Sequence, residues 1–217
     1  MHQPSLILAS ASPRRQALLR SAGIRFEVIP SRVDEKMEMG ETPEEHVIRL
    51  ARLKAAKVGK KNRTRWVLAA DTVVAVGGRI LGKPRDRREA EGMLEMLSAR
   101  EHRVVTGYCL LQVSSGKSRQ ERVVTRVRFK KLSPDEIRRY LDTGEPYGKA
   151  GAYAIQGKAA FMVREVRGSY TNVVGLPLCE VVEALQEMRG PVIRSKSRAA
   201  NLISLPLGKH RICRGDS

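Results

Sequence analysis

The sequence predicts an α/β protein, on three observations. The apolar run Leu6-Ile-Leu-Ala9 is too short for a lone helix, and Ser12-Pro13 follows it as a hydroxyl cap with proline at the first helical position. Helix starts of related design recur at Thr42-Pro43-Glu44-Glu45, at Asp86 to Glu89 and at Ser133-Pro134-Asp135-Glu136. Strand patterns lie between them: the near-continuous apolar stretch Trp66 to Val76, and the alternation from Arg122 to Phe129.

The elements follow in order. The first strand covers Leu6 to Ala9. In the helix after Pro13, Ala17, Leu18 and Ala22 are expected to face a core, with Gly23 closing the last turn. Ser10 and Ser12 fall at the strand-to-helix junction, and Arg14 and Arg15 come next. A helix start is electropositive, so two guanidinium groups there cost stability unless an anion occupies the site. That pattern suggests a phosphate pocket; two solvated arginines in a basic protein are the plain alternative. Arg25 to Ile29 reads as a strand and Val33-Asp34-Glu35 as a loop. Its adjacent carboxylates either bind a hard cation or are simply solvated. The helix from Thr42 runs to about Val58, with Val47, Ala51, Lys54 and Val58 on one face. Lys54 either snorkels to solvent or brings its amine to the edge of a cleft.

Trp66 to Val76 reads as a buried strand with Asp71 in its middle. An unpaired buried carboxylate costs several kcal/mol. Asp71 must therefore meet a cation, join a hydrogen-bond network or sit where the strand reaches a cleft; a structural Asp at a strand kink is the alternative. Gly77-Gly78 is a hairpin turn returning through Arg79 to Leu81, and Gly82-Lys83-Pro84 places a cation between a flexible and a stiff residue. Asp86 with Glu89 reads as a capping box, before a helix with Ala90, Met93, Leu94 and Leu97 on one face. His102 to Val113 is a strand, turning over Ser114 to Lys117 into Arg122 to Phe129. There Val123, Thr125, Val127 and Phe129 share one side, and Arg126 and Arg128 are solubilising. A helix opened at Ser133 ends near Thr143-Gly144. Gly144 to Gly157 is a glycine-rich loop long enough to be functional or mobile. Ala160 to Val166 is expected as a strand, Gly168 to Pro177 as a second loop and Cys179 to Met188 as a helix.

The chain of 217 residues suits one domain, or one two-lobed domain, with a core resting on aliphatic residues because aromatics are only 4%. A net charge of +18 favours polyanionic partners, whether nucleotides, nucleic acid or anionic membrane, without choosing among them. Cys109, Cys179 and Cys213 are widely spaced and form no CxxC pair. A disulfide framework and a zinc site are not expected, and a reducing cytoplasm fits. His2, His46, His102 and His210 are too scattered for a histidine metal cluster. No apolar run long enough to span a membrane is found, and no signal peptide is expected. From Arg189 the composition turns basic, with Arg194, Lys196, Arg198, Lys209, Arg211 and Arg214 against Asp216. The chain divides into a domain over 1–188 and an extension over 189–217. The extension reads as a solvated tail without regular order, with contact to nucleic acid or membrane as the alternative.

Several stretches together resemble one family. Leu8-Ala-Ser-Ala-Ser-Pro-Arg-Arg15, Ala69-Ala-Asp-Thr72, Gly82-Lys-Pro84, Ala154-Ile-Gln-Gly157 and Gly168-Ser-Tyr-Thr-Asn-Val-Val-Gly-Leu-Pro177 look like the Maf family of nucleoside triphosphate pyrophosphatases, in order, over about residues 5–188. The likeness is nearest to the dTTP/UTP branch. It implies an elongated mixed sheet with flanking helices of the inosine triphosphatase-like (Maf/Ham1) class, with two lobes around a central cleft. It implies hydrolysis of a nucleoside triphosphate to monophosphate and pyrophosphate with a divalent cation, Mg²⁺ or Mn²⁺. Ser10, Arg14, Arg15, Glu35, Lys54, Asp71 and Lys83 match family active-site positions, and Arg14, Thr72 and Gln156 match positions tied to substrate choice. The family's methylated-guanine branch tends to carry acidic residues at the last two. Family members are also linked to housecleaning of non-standard nucleotides and to arrest of septum formation, and a homodimer is left open.

The residues suit that chemistry. Asp71 is the candidate proton acceptor and, with Glu35, a candidate metal ligand. Arg14, Arg15, Lys54 and Lys83 can grip phosphate oxygens, with hydroxyls from Ser10 and Ser12. Gln156 carries a donor and an acceptor that match the edge of uracil or thymine. A broader modified-nucleotide pyrophosphatase is one alternative. A basic nucleic-acid-binding regulator without important turnover is another, although the chain shows no aromatic stacking platform.

Overall fold

A computed structural model describes residues 5–191. The basic extension expected over 189–217 lies almost wholly outside the described residues. The chain runs β1 (Leu6–Leu8), α1 (Pro13–Ser21), β2 (Glu27–Val28), α2 (Pro43–Gly59), β3 (Trp66–Val76), β4 (Arg79–Leu81), α3 (Arg87–Leu97), β5 (Glu101–Gln112), β6 (Lys117–Phe129), α4 (Pro134–Asp142), β7 (Val163–Arg167), α5 (Tyr170–Val174) and α6 (Leu178–Glu187). The sheet is mixed. Its order is β2-β1-β3-β5-β6-β7, with β4 paired to β3. The pairs of β1 with β2 and β3 are parallel and the others antiparallel.

Local chemistry explains most boundaries. Thr42 and Ser133 each form the full capping box, accepting from the backbone N–H of Glu45 and Glu136 while those carboxylates return to the cap N–H. Gly23 (φ 69°) follows α1 in the left-handed region, and Ile24 donates its N–H back to the Leu19 carbonyl (3.1 Å). Four expectations need correction. At α3, Asp86 caps Glu89, but the Glu89 carboxylate turns to the N–H and guanidinium of Arg85, so the box is only half formed. Ala17 is exposed; α1 buries Leu18 and Leu19 instead, because its inner face is centred on them. Residues 158–162 form a 3-10 turn before β7 rather than the start of a strand. The loop expected over Gly168 to Pro177 contains α5, a short helix capped by the Ser169 hydroxyl.

Sheet geometry makes the cleft. On one edge, β3 pairs with β1 over Trp66 to Leu68 and with β4 over Val74 to Val76. Ala69 to Val73 have no strand partner on that edge among the described residues, so the strand is open there. Alternation then splits its side chains. Ile7, Ala9, Val67 and Ala69 pack under α2. On the other face, two clusters form at opposite ends. One joins β1, α1, α6 and the start of β3; the second joins the end of β3, α3, α4 and the 150–162 segment, and Ile155 packs against both. Two lobes with a cleft between them, as expected, follow from this break.

Candidate active site

The open stretch of β3 forms the floor of a cavity of about 590 Å³. Its walls come from the β1–α1 junction, the loop before α2, the Gly82-Lys83 segment, residues 148–156 and the end of α5. Ser10, Arg14, Arg15, Glu35, Lys54, Asp71, Thr72, Lys83 and Gln156 all line it. Residues far apart in sequence thus meet in one place.

Asp71 and Thr72 are adjacent and point to opposite faces of the sheet, so they serve different halves of the cavity. Asp71 faces α2. Its cross-strand partner on β5 is Gly107, where a Cβ would lie 2.6 Å from the backbone of Val47 in α2. The missing side chain lets α2 lie close on the sheet and brings Lys54 to Asp71. Lys54 is 6% exposed and Asp71 8%. The Lys54 ammonium donates to Asp71 Oδ1 at 2.6 Å and lies 2.6 Å from Glu35 Oε1, while Lys83 reaches Glu35 Oε2 at 3.1 Å. The order is Asp71, Lys54, Glu35, Lys83, alternating in charge. Partial burial pushes the Glu35 carboxyl up, but its hydrogen bonds from Lys54 and Lys83 win and hold it at about 2. Lys54 therefore does not snorkel; its buried charge is paired on two sides.

Thr72 faces α1 and α5. Arg15 donates from Nη2 to Thr72 Oγ1 (3.0 Å), from Nη1 to Ser10 Oγ (3.1 Å) and from Nε to the Gly175 carbonyl (2.7 Å). Arg14 Nε reaches the Val174 carbonyl at 3.3 Å. The two arginines thus sit against the C-terminal end of α5, whose free carbonyls carry partial negative charge. Burial pulls the Arg15 pKa down, opposed chiefly by the charge of Asp71. This refines the expectation for Arg15: much of its donor capacity fixes the wall of the site, and less is left for a ligand. Sequence reasoning missed the residues that hold this end of α5. Thr106 shares a hydroxyl hydrogen bond with Thr72 (2.9 Å) and donates to the Asn172 carbonyl (3.3 Å). Asn172, wholly buried, donates from Nδ2 to Thr125 Oγ1 (2.9 Å) and to the carbonyl of Val104 (3.1 Å). The available signal was polar residues inside otherwise apolar strand patterns.

Gln156 is exposed at the rim, on a turn closed by the Gly157 N–H to the Ala154 carbonyl (3.0 Å). For a cation, the cavity offers two carboxylates, Asp71 and Glu35, both in contact with Lys54. Among the described residues no group of three or more His, Cys, Asp or Glu side chains is arranged as a metal site. Two carboxylates suit a hard cation that takes its remaining ligands from phosphates and water.

The family described as Maf-like protein matches residues 5–188. The chain belongs to the Maf family. Among curated Maf relatives, a dTTP/UTP pyrophosphatase of Geotalea uraniireducens (strain Rf4) is 55% identical over 184 residues, covering 85% of this chain and 95% of that protein. One of the same description from Syntrophotalea carbinolica (strain DSM 2380 / NBRC 103641 / GraBd1) is 52% identical over 189 residues, covering 86% of each. Among solved structures, a HAM1 protein from Coxiella burnetii is similar at a TM-score of 0.46 and 19% identity, over 84% of this chain and 98% of that one. The Maf match ends where the basic extension was expected to begin.

Proposed function

We propose that this Maf protein hydrolyses dTTP and UTP to the monophosphate and pyrophosphate. One observation carries the reading. A buried carboxylate, Asp71, stands on the open floor of a cavity ringed by Arg14, Lys54 and Lys83. Cleavage at the α-phosphorus needs a base for the attacking water and positive charge for the departing pyrophosphate. Asp71 takes the proton of the water as its oxygen bonds to phosphorus, and the bond to the bridging oxygen breaks. Lys54 holds Asp71 in place through Oδ1, while Lys83 and Arg14 balance phosphate charge. Glu35 bridges both lysines, so an incoming triphosphate competes with it for them. Asp71 and Glu35 are also the residues that would hold Mg²⁺ or Mn²⁺. Such an ion, when bound, supplies further charge neutralisation to the phosphates. Ser10 and Thr72 act with Arg15 to shape the wall, and Gln156 reads the base edge. The names of the curated relatives support the choice of dTTP and UTP. All these residues come from one chain, so the reading needs no second copy. Among the described residues no helix is long and apolar enough to cross a membrane, and the proposal places the enzyme with its nucleotides in the cytoplasm.

The test is product analysis with dTTP, UTP, CTP and 7-methyl-GTP, with Mg²⁺ or Mn²⁺, beside Asp71→Asn. The expected result is dTMP or UMP with pyrophosphate, a rate that falls at least about 100-fold in the variant, and loss of turnover on chelation. Diphosphate products, or a preference for 7-methyl-GTP, would overturn the bond or the base assignment. A panel that accepts many modified nucleotides equally would favour the broader pyrophosphatase. No turnover with either ion, alongside salt-sensitive nucleic-acid binding, would favour the basic regulator.

A further inference from the structure

The glycine-rich segment between α4 and β7 carries a fixed carboxylate that the reaction leaves unused. Glu145 is half-buried and accepts three hydrogen bonds: from the Tyr140 hydroxyl (3.0 Å), the Lys158 N–H (3.0 Å) and the Ala159 N–H (3.3 Å). The two amides come directly after the turn that presents Gln156. Gly157 stands between turn and amides. A Cβ there would lie 2.3 Å from Glu145 Oε2 and 2.5 Å from Oε1. A side chain at Gly157 would therefore displace the Glu145 carboxylate from its place against the amides. On the other side of the turn, Tyr153 is fixed by its hydroxyl on His102 Nε2 (2.8 Å), and Ile155 packs into both core clusters. Gln156 is the exposed residue between two anchored ends. Glu145 and Tyr140 also lie within electrostatic reach of Arg14. Burial pulls the Arg14 pKa down, and both of these groups oppose it.

We propose that Glu145 is a positioning residue for base selection: its carboxylate clamps the amides of residues 158 and 159 through the gap left by Gly157 and so fixes where Gln156 stands in the cavity. The proposal rests on the reading of Gln156 as the side chain that meets the base. An amide that must match the hydrogen-bonding edge of a pyrimidine discriminates only if its position is held. The clamp therefore acts on choice between substrates more than on the phosphate chemistry at Asp71, which lies on a separate element.

The experiment compares kcat/KM for UTP and CTP in the full chain, in Glu145→Ala, Glu145→Gln, Gly157→Ala, the double variant Glu145→Ala/Gly157→Ala and Gln156→Ala. Glu145→Ala is expected to lower the UTP:CTP ratio about tenfold, chiefly through KM for UTP. Gly157→Ala should do the same by pushing the carboxylate off its amides, and it keeps the test alive if Glu145→Ala folds poorly. The double variant should be no worse than the poorer single one, because both changes break one contact. Glu145→Gln keeps one of the two acceptor oxygens and should recover part of the ratio. Equal losses for both nucleotides in Glu145→Ala and Gly157→Ala, with a ratio that collapses only in Gln156→Ala, would overturn the clamp and leave the base reading standing. An unchanged ratio in Gln156→Ala would overturn the base reading itself, and the clamp with it.

Discussion

At the scale of single residues, two buried polar contacts carry most of the consequence. The ammonium of Lys54 is shared between Asp71 and Glu35, each at 2.6 Å. Removing one member of a buried pair leaves a charge without compensation, which typically costs about 3–5 kcal/mol. Lys54→Met is therefore expected to lower the urea midpoint of unfolding as well as turnover, whereas Lys83→Met, at an exposed lysine, should lower turnover with little change in the midpoint. His102 gives a pH effect. Burial pushes its pKa from the ordinary 6.5 down to about 4, and its ring shares a hydrogen bond with Tyr153. The unfolded chain therefore takes up the proton at a higher pH than the folded one. The stabilisation is complete above pH 6.5 and is lost as pH falls toward about 4. The loss across that window is about 3 kcal/mol. His102→Gln, which keeps a side-chain amide for Tyr153, should flatten the fall in thermal midpoint over the same range.

At the scale of elements, the site depends on how closely α2 approaches the sheet. Gly107 stands opposite Asp71 in register, under the backbone of α2. Gly107→Ala would force the helix outward by colliding with main-chain atoms that cannot rotate away. Overpacking of this kind costs about 1–3 kcal/mol. The expected outcome is a lower midpoint in denaturant together with reduced turnover, because Lys54 rides on the displaced helix; stability lost without any effect on turnover would show that the Lys54–Asp71 contact survives the shift. The short helix α5 has the complementary role on the other face. Asn172 pins it to β5 and β6, and its last carbonyls receive Arg14 and Arg15. One element sets the carboxylate half of the cavity and the other sets the guanidinium half.

At the scale of the whole molecule, the break in pairing along β3 matters most. The strand leaves β1 after Leu68 and meets β4 at Val74, so the interval between them opens to a cavity bounded by both lobes. A strand paired on both edges throughout would have closed the floor. Among the described residues every one that lines the cavity, and the whole of the Maf match, lies before residue 189. A chain ending at Pro191 is accordingly expected to keep its kcat for dTTP and UTP and its thermal midpoint within about 2 °C. A loss of turnover in that chain would place a functional group in the extension.

Much of this architecture was legible in the chain. The capping boxes at Thr42 and Ser133, the hairpin at Gly77-Gly78 and the long strand Trp66 to Val76 depend on neighbours within a few residues, so pattern alone determines them. The need of Asp71 for a polar partner was equally clear, because a buried carboxylate left alone is costly; that the partner is the Lys54 ammonium is set by the packing of α2 on the sheet. Other features depend on contacts that no local pattern contains. α5 is only five residues long and is flanked by Gly168 and Gly175, which makes it resemble a loop. The 3-10 turn at 158–162 is held by a carboxylate at Glu145. The part Arg15 takes in the wall of the site could not be read locally, because its partner, the Gly175 carbonyl, is 160 residues away. The sequence by itself determined which chemical groups this protein carries and the elements they sit on, since capping, turns and hydrophobic period are short-range. Only the tertiary structure decided which charges pair with one another and which remain for a ligand, because that depends on distances between strands and helices brought together by packing.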